Sequence, residues 1–427
     1  MELFNLKHHD EKVSFAQAVV RGIGRDQGLF FPDHIEPFSQ EKIEELLKLP
    51  LVQRSQIILR HLIGDELPEL EQIIADAFCF DAPIVPAGDR IFCLELFHGP
   101  TLAFKDFGAR FLARVLSAVR GDKHLTILTA TSGDTGAAVA DAFYGQKGID
   151  VVVLYPDGRI SSLQEKLIAT LGGNIHAVRV KGIFDQCQDL VKTAFDDTEF
   201  KARIGLNSAN SINIARLLAQ VTYYFEAVSQ LKSGRDKVVF SVPCGNFGDL
   251  TAGLIAKALG LKARFVIACN ANDTVPRYLQ SGTWDPHKTV ATLSNAMDIS
   301  RPNNWPRVEA LVKMQGWSLK DFAYGSLNDE QTEQAMREIY KNSGYHAEPH
   351  AAIACACLKN TLKDDEVGIF LGTAHPAKFK SEVDRILGID EALPKQLQEK
   401  ALLESRSDLI DPDYETLKAL VLKELKL

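Results

Sequence analysis

The chain has 427 residues, 46% of them apolar and 24% charged, with a formal net charge of −8. Such a length suits roughly two or three domains, and the composition excludes wholesale disorder. The acidic balance disfavours a general nucleic-acid binder, which needs a basic face to release counterions.

The opening stretch MELFNLKHHDEK is charged and lacks an apolar h-region, so no signal peptide is expected. No run of about 18 apolar residues occurs, so no membrane span is expected either. The cysteines at 79, 93, 187, 244, 269, 355 and 357 form no CxxC pair. They read as reduced, mostly buried small hydrophobes in a cytoplasmic protein. His346, Glu348 and His350 lie close together, but without further ligands no metal site is expected.

In chain order, residues 1–85 read as a mostly helical domain, because EKIEELLKLP and LPELEQIIADAF repeat apolar residues at helical spacing. From about residue 90 short β-rich runs begin: LTILTA (125–130), VVVLYP (151–156), IHAVRV (175–180), KVVFSVP (237–243), RFVIACN (264–270) and VGIFLGTA (367–374). Helix-period segments at 104–120, 136–145, 163–172, 184–197, 211–231 and 247–260 separate most of them. Continuously apolar strands alternating with helices predict an α/β protein with parallel sheets covered on both faces. After 376, HPAKFKSEVDRILG and DPDYETLKALVLKELKL read as closing helices.

In open α/β sheets, ligands collect beyond the carboxyl ends of the strands. Three junctions of this kind have unusual composition. LTILTA runs into Thr131, Ser132, Gly133, Asp134, Thr135 and Gly136, where glycines admit a ligand and hydroxyls and N–H groups face a small anion. Ordinary helix capping explains the same residues equally well. KVVFSVP runs into Cys244, Gly245, Asn246, Phe247, Gly248 and Asp249, a helix entry suited to phosphate. It is neither a P-loop nor a dinucleotide fingerprint. The third, Asn207 to Asn213 with Asn210 and Ser211, precedes Arg216, whose guanidinium suits a second phosphate. A polar cap with a surface ion pair is the alternative there. A helix terminus favours an anion by only about 0.3–1 kcal/mol, whereas a charge-assisted hydrogen bond adds about 1.5–3. One loop would therefore hold phosphate poorly, and three together read as one site for several anionic groups.

Lys105 heads the clearest helix. A lysine is ordinarily solvated, but Leu102, Phe104 and Phe107 flank this one. Burial among them would lower its pKa. Reaching about 7–8 from about 10.4 takes about 4 kcal/mol of differential interaction. Schiff-base chemistry with pyridoxal phosphate is the natural use of such an amine beside a phosphate-binding glycine loop.

The segments SFAQAVVRGIGRDQGLFFP, LELFHGPTLAFKDFG, TATSGDTGAAVA, LNSANSINIARLLAQ, SVPCGNFGDLTAG, TLSNAMDISRPNNWPR and LGTAHPAKF, in this order, resemble the threonine synthase family over nearly the whole chain. The resemblance implies the tryptophan-synthase-β-like fold, pyridoxal-phosphate fold type II, with mixed and parallel sheets in two subdomains behind the helical N-terminal domain. Residues 86–230 would form the first part of the catalytic region, including the small subdomain. Residues 231–427 would form the large subdomain and closing helices.

It also implies roles. Lys105 would be the Schiff-base lysine. Gly245, Asn246, Phe247 and Gly248 would hold the cofactor phosphate. Thr131, Ser132 and Thr135 would face the substrate carboxylate, and Asp134 the cofactor ring edge. Asn210, Ser211 and Arg216 would hold the substrate phosphate, and Thr373 would meet the pyridine nitrogen. Many relatives of the wider fold type place Asn where Asp134 stands, and an anion there would be unfavourable unless protonated or turned away. The implied reaction converts O-phospho-L-homoserine and water to threonine and phosphate. Nearby alternatives on this fold are an O-phosphohomoserine phospho-lyase and a serine or threonine dehydratase. The expected assembly is a monomer or homodimer, without nucleic acid or membrane partners.

Overall fold

The apolar runs become strands because helices cover both of their faces. In the computed structural model, which describes residues 1–131 and 133–427, Leu125–Ala130, Ile149–Pro156 and Ile175–Val180 are almost wholly buried and pair in parallel. Leu206–Asn207 adds to one edge and Asp408–Ile410 to the other, giving a 5-stranded parallel sheet. A 6-stranded sheet runs in the order Ala323–Ser326, Ala263–Cys269, Val238–Pro243, Val367–Gly372, Ile91–Glu95, Ile84–Gly88. It is parallel except for the last pair.

The sheets do not follow a contiguous division at 230. Strands Ile84–Gly88 and Ile91–Glu95 precede the 5-stranded sheet in the chain yet join the 6-stranded one. Asp408–Ile410, near the end, returns to the first sheet. The N-terminal region has the expected helices, among them Leu51–Ile63 and Leu70–Ala77. It also has a 3-stranded antiparallel sheet from Glu2–Asn5, Lys12–Ser14 and Phe30–Pro32. Strands this short are below the length at which alternation can be read.

The helix Ile214–Gln230 is buried along nearly its whole length and lies against Lys105–Val119, Gly248–Ala258 and Leu51–Ile63. Its approach to Lys105–Val119 is backbone to backbone: a Cβ on Gly108 would stand 3.0 Å from the Arg216 carbonyl oxygen. On the N-terminal side, buried Arg54 donates to Glu226 Oε2 at 2.6 Å and to the Leu46 carbonyl at 2.9 Å. Among the described residues, no helix is long and apolar enough to cross a membrane.

The helix Asp134–Phe143 meets its sheet at Gly136, where a Cβ would lie 2.4 Å from Thr131 Cγ2 and 2.8 Å from Val153 Cγ1. Gly136→Ala is therefore expected to destabilise the protein by about 1–3 kcal/mol through overpacking, read as a lower thermal midpoint. An unchanged midpoint would show that the helix lifts off the strand without cost.

Candidate active site

Lys105 opens the helix Lys105–Val119, and the loop before it is wound tightly. Fully buried Asp106 turns back into that loop, accepting from Thr101 N at 2.9 Å and Thr101 Oγ1 at 2.5 Å. Leu102 adopts a left-handed conformation (φ 58°), a costly state for a branched side chain that the surroundings must enforce. The loop is also tied to the end of strand Val367–Gly372. Phe104 N donates to the Thr373 carbonyl at 2.9 Å, His375 N to the Leu102 carbonyl at 3.0 Å, and Ala103 bridges Ala374. The loop that leads into Lys105 is thereby tied to the segment that carries Thr373.

Lys105 is half-buried, with its Nζ 4.7 Å from the Phe104 ring centre. Burial lowers its pKa below the ordinary lysine value; the charges of Lys378 and Arg216 act the same way, against Asp134 and Asp249. Asp134 is neither turned away nor protonated. It accepts from Lys378 Nζ at 2.7 Å and Gln164 Nε2 at 3.1 Å. Burial alone would raise its pKa, but Lys378, Lys105 and the bond from Gln164 hold the carboxyl well below the usual range. Lys378, itself buried, also donates to the Thr101 carbonyl at 2.8 Å. Sequence reasoning missed Lys378: in HPAKF it looks like a helix-surface lysine, and only its place two turns past the strand end hinted otherwise.

Thr131 Oγ1 accepts from Gly133 N and Gly136 N, both at 2.9 Å, so its oxygen shapes the loop as a cap. Thr135 is half-buried beside it. Ser132 lies outside the described residues.

The glycine loop and the asparagine-rich loop do come together. Asn246 Nδ2 donates to Ser211 Oγ at 2.7 Å, while Asn246 Oδ1 accepts from Asn303 N at 2.6 Å. Asn210 Oδ1 accepts from Thr129 Oγ1 at 3.0 Å. Phe247 is left-handed (φ 59°), its ring edge-on to Trp305. A Cβ on Gly245 would lie 2.8 Å from Met297 Cα. Among the described residues, the N–H groups of Gly245, Asn246, Phe247 and Gly248 donate to no carbonyl. They stand at the N-terminus of the helix Gly248–Ala258, where the dipole favours an anion.

Arg216 is fully buried, and its Nη1 donates to the Ala209 carbonyl at 2.7 Å. Its Nε has no partner and no carboxylate pairs with it among the described residues, which excludes the surface ion pair. Burial brings it down to about 10. Asp249, also missed by sequence reasoning, accepts from Tyr223 and Tyr224 hydroxyls at 2.5 and 2.7 Å, and burial raises it to about 6. An orphaned guanidinium nitrogen, a row of free N–H groups and a depressed amine fit a phosphate-bearing aldehyde such as pyridoxal phosphate.

A family model described as pyridoxal-phosphate dependent enzyme matches residues 79–371, most of the chain, so the fold is that of this enzyme class. Models described as threonine synthase N terminus and threonine synthase, C-terminal match residues 5–78 and 351–421. The chain is 62% identical to the threonine synthase of Haemophilus influenzae over 427 residues, covering 99% of this chain and 100% of that one. The crystal structure of threonine synthase from Escherichia coli superposes with a TM-score of 0.95 at 58% identity, over 99% of this chain and 100% of that one. The pyridoxal-phosphate-bound enzyme from Brucella melitensis gives 0.93 at 32% identity, over 100% of both. The chain belongs to the threonine synthase family.

Labelling of the Lys105 amine in cofactor-free protein, followed by peptide mapping, is expected to show a pH midpoint below the ~10.4 of a free lysine. In Asp134→Asn the midpoint should fall further, because the carboxylate that favours the ammonium form is gone. A midpoint that rises in this variant would contradict the charge balance described here.

Proposed function

We infer that this chain is a threonine synthase, converting O-phospho-L-homoserine and water to L-threonine and phosphate with pyridoxal phosphate as cofactor. At the site, the observation that carries the reading is the excess of buried positive charge. Arg216 and Lys378 act on Lys105 against two carboxylates, Asp134 and Asp249; Lys378 already engages Asp134, and Arg216 has an unpartnered Nε, in a chain that is acidic as a whole. Buried cations without counter-ions are costly. Two phosphates and a substrate carboxylate supply the missing anions.

In this reading Gly245, Asn246, Phe247 and Gly248 hold the cofactor phosphate through their N–H groups. Arg216, with Asn210 and Ser211, grips the substrate phosphate. The loop from Thr131 to Thr135 receives the substrate carboxylate, and Thr373 faces the pyridine nitrogen.

Pyridoxal phosphate, when bound, supplies the electron sink for negative charge left on the substrate carbons. Lys105 accepts the proton from Cα, an act that requires a neutral amine. Burial and the nearby charges of Lys378 and Arg216 make that form accessible. Lys105 then carries protons to and from the neighbouring carbons. Loss of a Cβ proton lets the Cγ–O bond break with its electrons leaving on the phosphate. Arg216, Asn210 and Ser211 keep that phosphate in place as its charge grows. A proton first returns at Cγ, water then adds its oxygen at Cβ and gives up one proton to balance the expelled phosphate, and a proton at Cα completes threonine.

Phosphohomoserine should yield threonine and phosphate in equal amounts. 2-Oxobutanoate as the main product would favour the lyase or dehydratase alternatives. Arg216→Ala is expected to raise KM for phosphohomoserine by about 10-fold or more, since a charge-assisted hydrogen bond is lost. The visible absorption of bound cofactor should persist, and an unchanged KM would remove Arg216 from the substrate site.

A further inference from the structure

His346, Glu348 and His350, adjacent in sequence, separate in space. His346 turns outward to Glu391, 2.6 Å away, and among the described residues no three His, Cys, Asp or Glu side chains could hold a metal ion. Glu348 and His350 are instead buried at the start of the helix Pro349–Lys359. Glu348 caps this helix, accepting from His350 N at 2.8 Å and Ala351 N at 2.9 Å. Its Oε2 also stands 2.5 Å from His350 Nδ1.

A carboxylate at Nδ1 fixes the proton there in the neutral ring and leaves Nε2 with its lone pair free. That lone pair accepts from Ala296 N at 3.2 Å. Ala296 is the middle residue of the short turn Asn295–Met297. The opposite side of this turn lies directly on the glycine loop: a Cβ on Gly245 would meet Met297 Cα at 2.8 Å and the Ala296 carbonyl oxygen at 2.9 Å. An unbroken line of contacts thus runs from Glu348 through His350 and the turn to Gly245.

We propose that Glu348 and His350 are positioning residues that hold the turn Asn295–Met297 against Gly245 and so set the loop that receives the cofactor phosphate. This rests on the assignment of Gly245 to Gly248 to that phosphate. Capping of the helix needs only Glu348, whereas the bond to Ala296 needs the histidine ring. The other groups facing the ring are Glu348 at Nδ1, the Phe379 ring 5.2 Å away, and Asp298. Asp298 is itself held by Thr292, Asn270 and Asn272.

The test titrates cofactor-free protein with pyridoxal phosphate and, separately, with pyridoxal, which lacks the phosphate. His350→Phe should weaken binding of pyridoxal phosphate by several-fold to about 10-fold, the effect of leaving one half-buried N–H unpartnered, and leave pyridoxal binding unchanged. His350→Gln, whose carbonyl oxygen reaches the position of Nε2, should recover most of the loss. If the Phe variant does not fold, His350→Asn, whose shorter amide does not reach Ala296 N, takes its place in the comparison with His350→Gln. Full affinity in His350→Phe, or equal losses for both ligands, would overturn the proposal. Gly245→Ala separates the two readings. If it retains full affinity, the phosphate-loop assignment fails; if it loses affinity while His350→Phe does not, the loop stands and only the positioning role falls.

Discussion

The ion pair between Lys378 and Asp134, 2.7 Å apart and almost wholly buried, joins segments that follow strands of the two large sheets, beside the loop that leads into Lys105. Asp134 begins the helix after an inner strand of one sheet, Leu125–Ala130, and Lys378 follows an inner strand of the other, Val367–Gly372. Removing two charges from water costs several kcal/mol per ion, so such a pair is held only if its geometry and further bonds compensate. Gln164 supplies one such bond to the carboxylate and the Thr101 carbonyl another to the ammonium. The carboxyl edges of both sheets are therefore fixed relative to each other, with the loop leading to Lys105 between them.

That arrangement decides what kind of lysine Lys105 is. Its neighbour in sequence, Asp106, faces away and closes the loop through Thr101, so it does not offset the amine. The first cause of the lowered pKa is burial, and the surrounding charges nearly oppose one another: Lys378 and Arg216 against Asp134 and Asp249. Asp134 cannot fully act as a counter-ion to Lys105 because Lys378 is already bonded to it. The pair thus leaves the Lys105 amine with less electrostatic support for its proton than a lone carboxylate would give.

Much of the fold was legible because its strands are apolar on both faces and its helices repeat at 3.6 residues. Leu125–Ala130 and Ile175–Val180 begin and end where the sequence pattern places them. The N-terminal strands Lys12–Ser14 and Phe30–Pro32 were not legible, since three residues show no periodicity and their pairing is set by tertiary contact. Sheet membership was hidden for the same reason: nothing local in Ile91–Glu95 says that it lies beside Val367–Gly372. At the site, loops with glycine, hydroxyl and amide groups announce themselves by composition. Lys378 and Asp249 do not, because a charged residue near a helix start reads as solvated until the elements covering it are known. The ionised state of Asp134 follows from Lys378 and could not be read without it.

The helix Ile214–Gln230 explains how a site made from distant loops can be rigid. Its first turn carries Arg216, its middle carries Tyr223 and Tyr224 to Asp249 at the head of the glycine-loop helix, and Glu226 meets Arg54 of the N-terminal region. One rod thereby fixes the guanidinium, the glycine-loop helix and the N-terminal helices in a common frame. Because Gly108 lets the Lys105 helix touch this rod backbone to backbone, the spacing between Lys105 and Arg216 has little freedom. If, as proposed, Lys105 moves a proton at one end of the substrate and Arg216 holds the leaving phosphate at the other, that distance must be held, and a packed helix contact holds it more firmly than flexible side chains could.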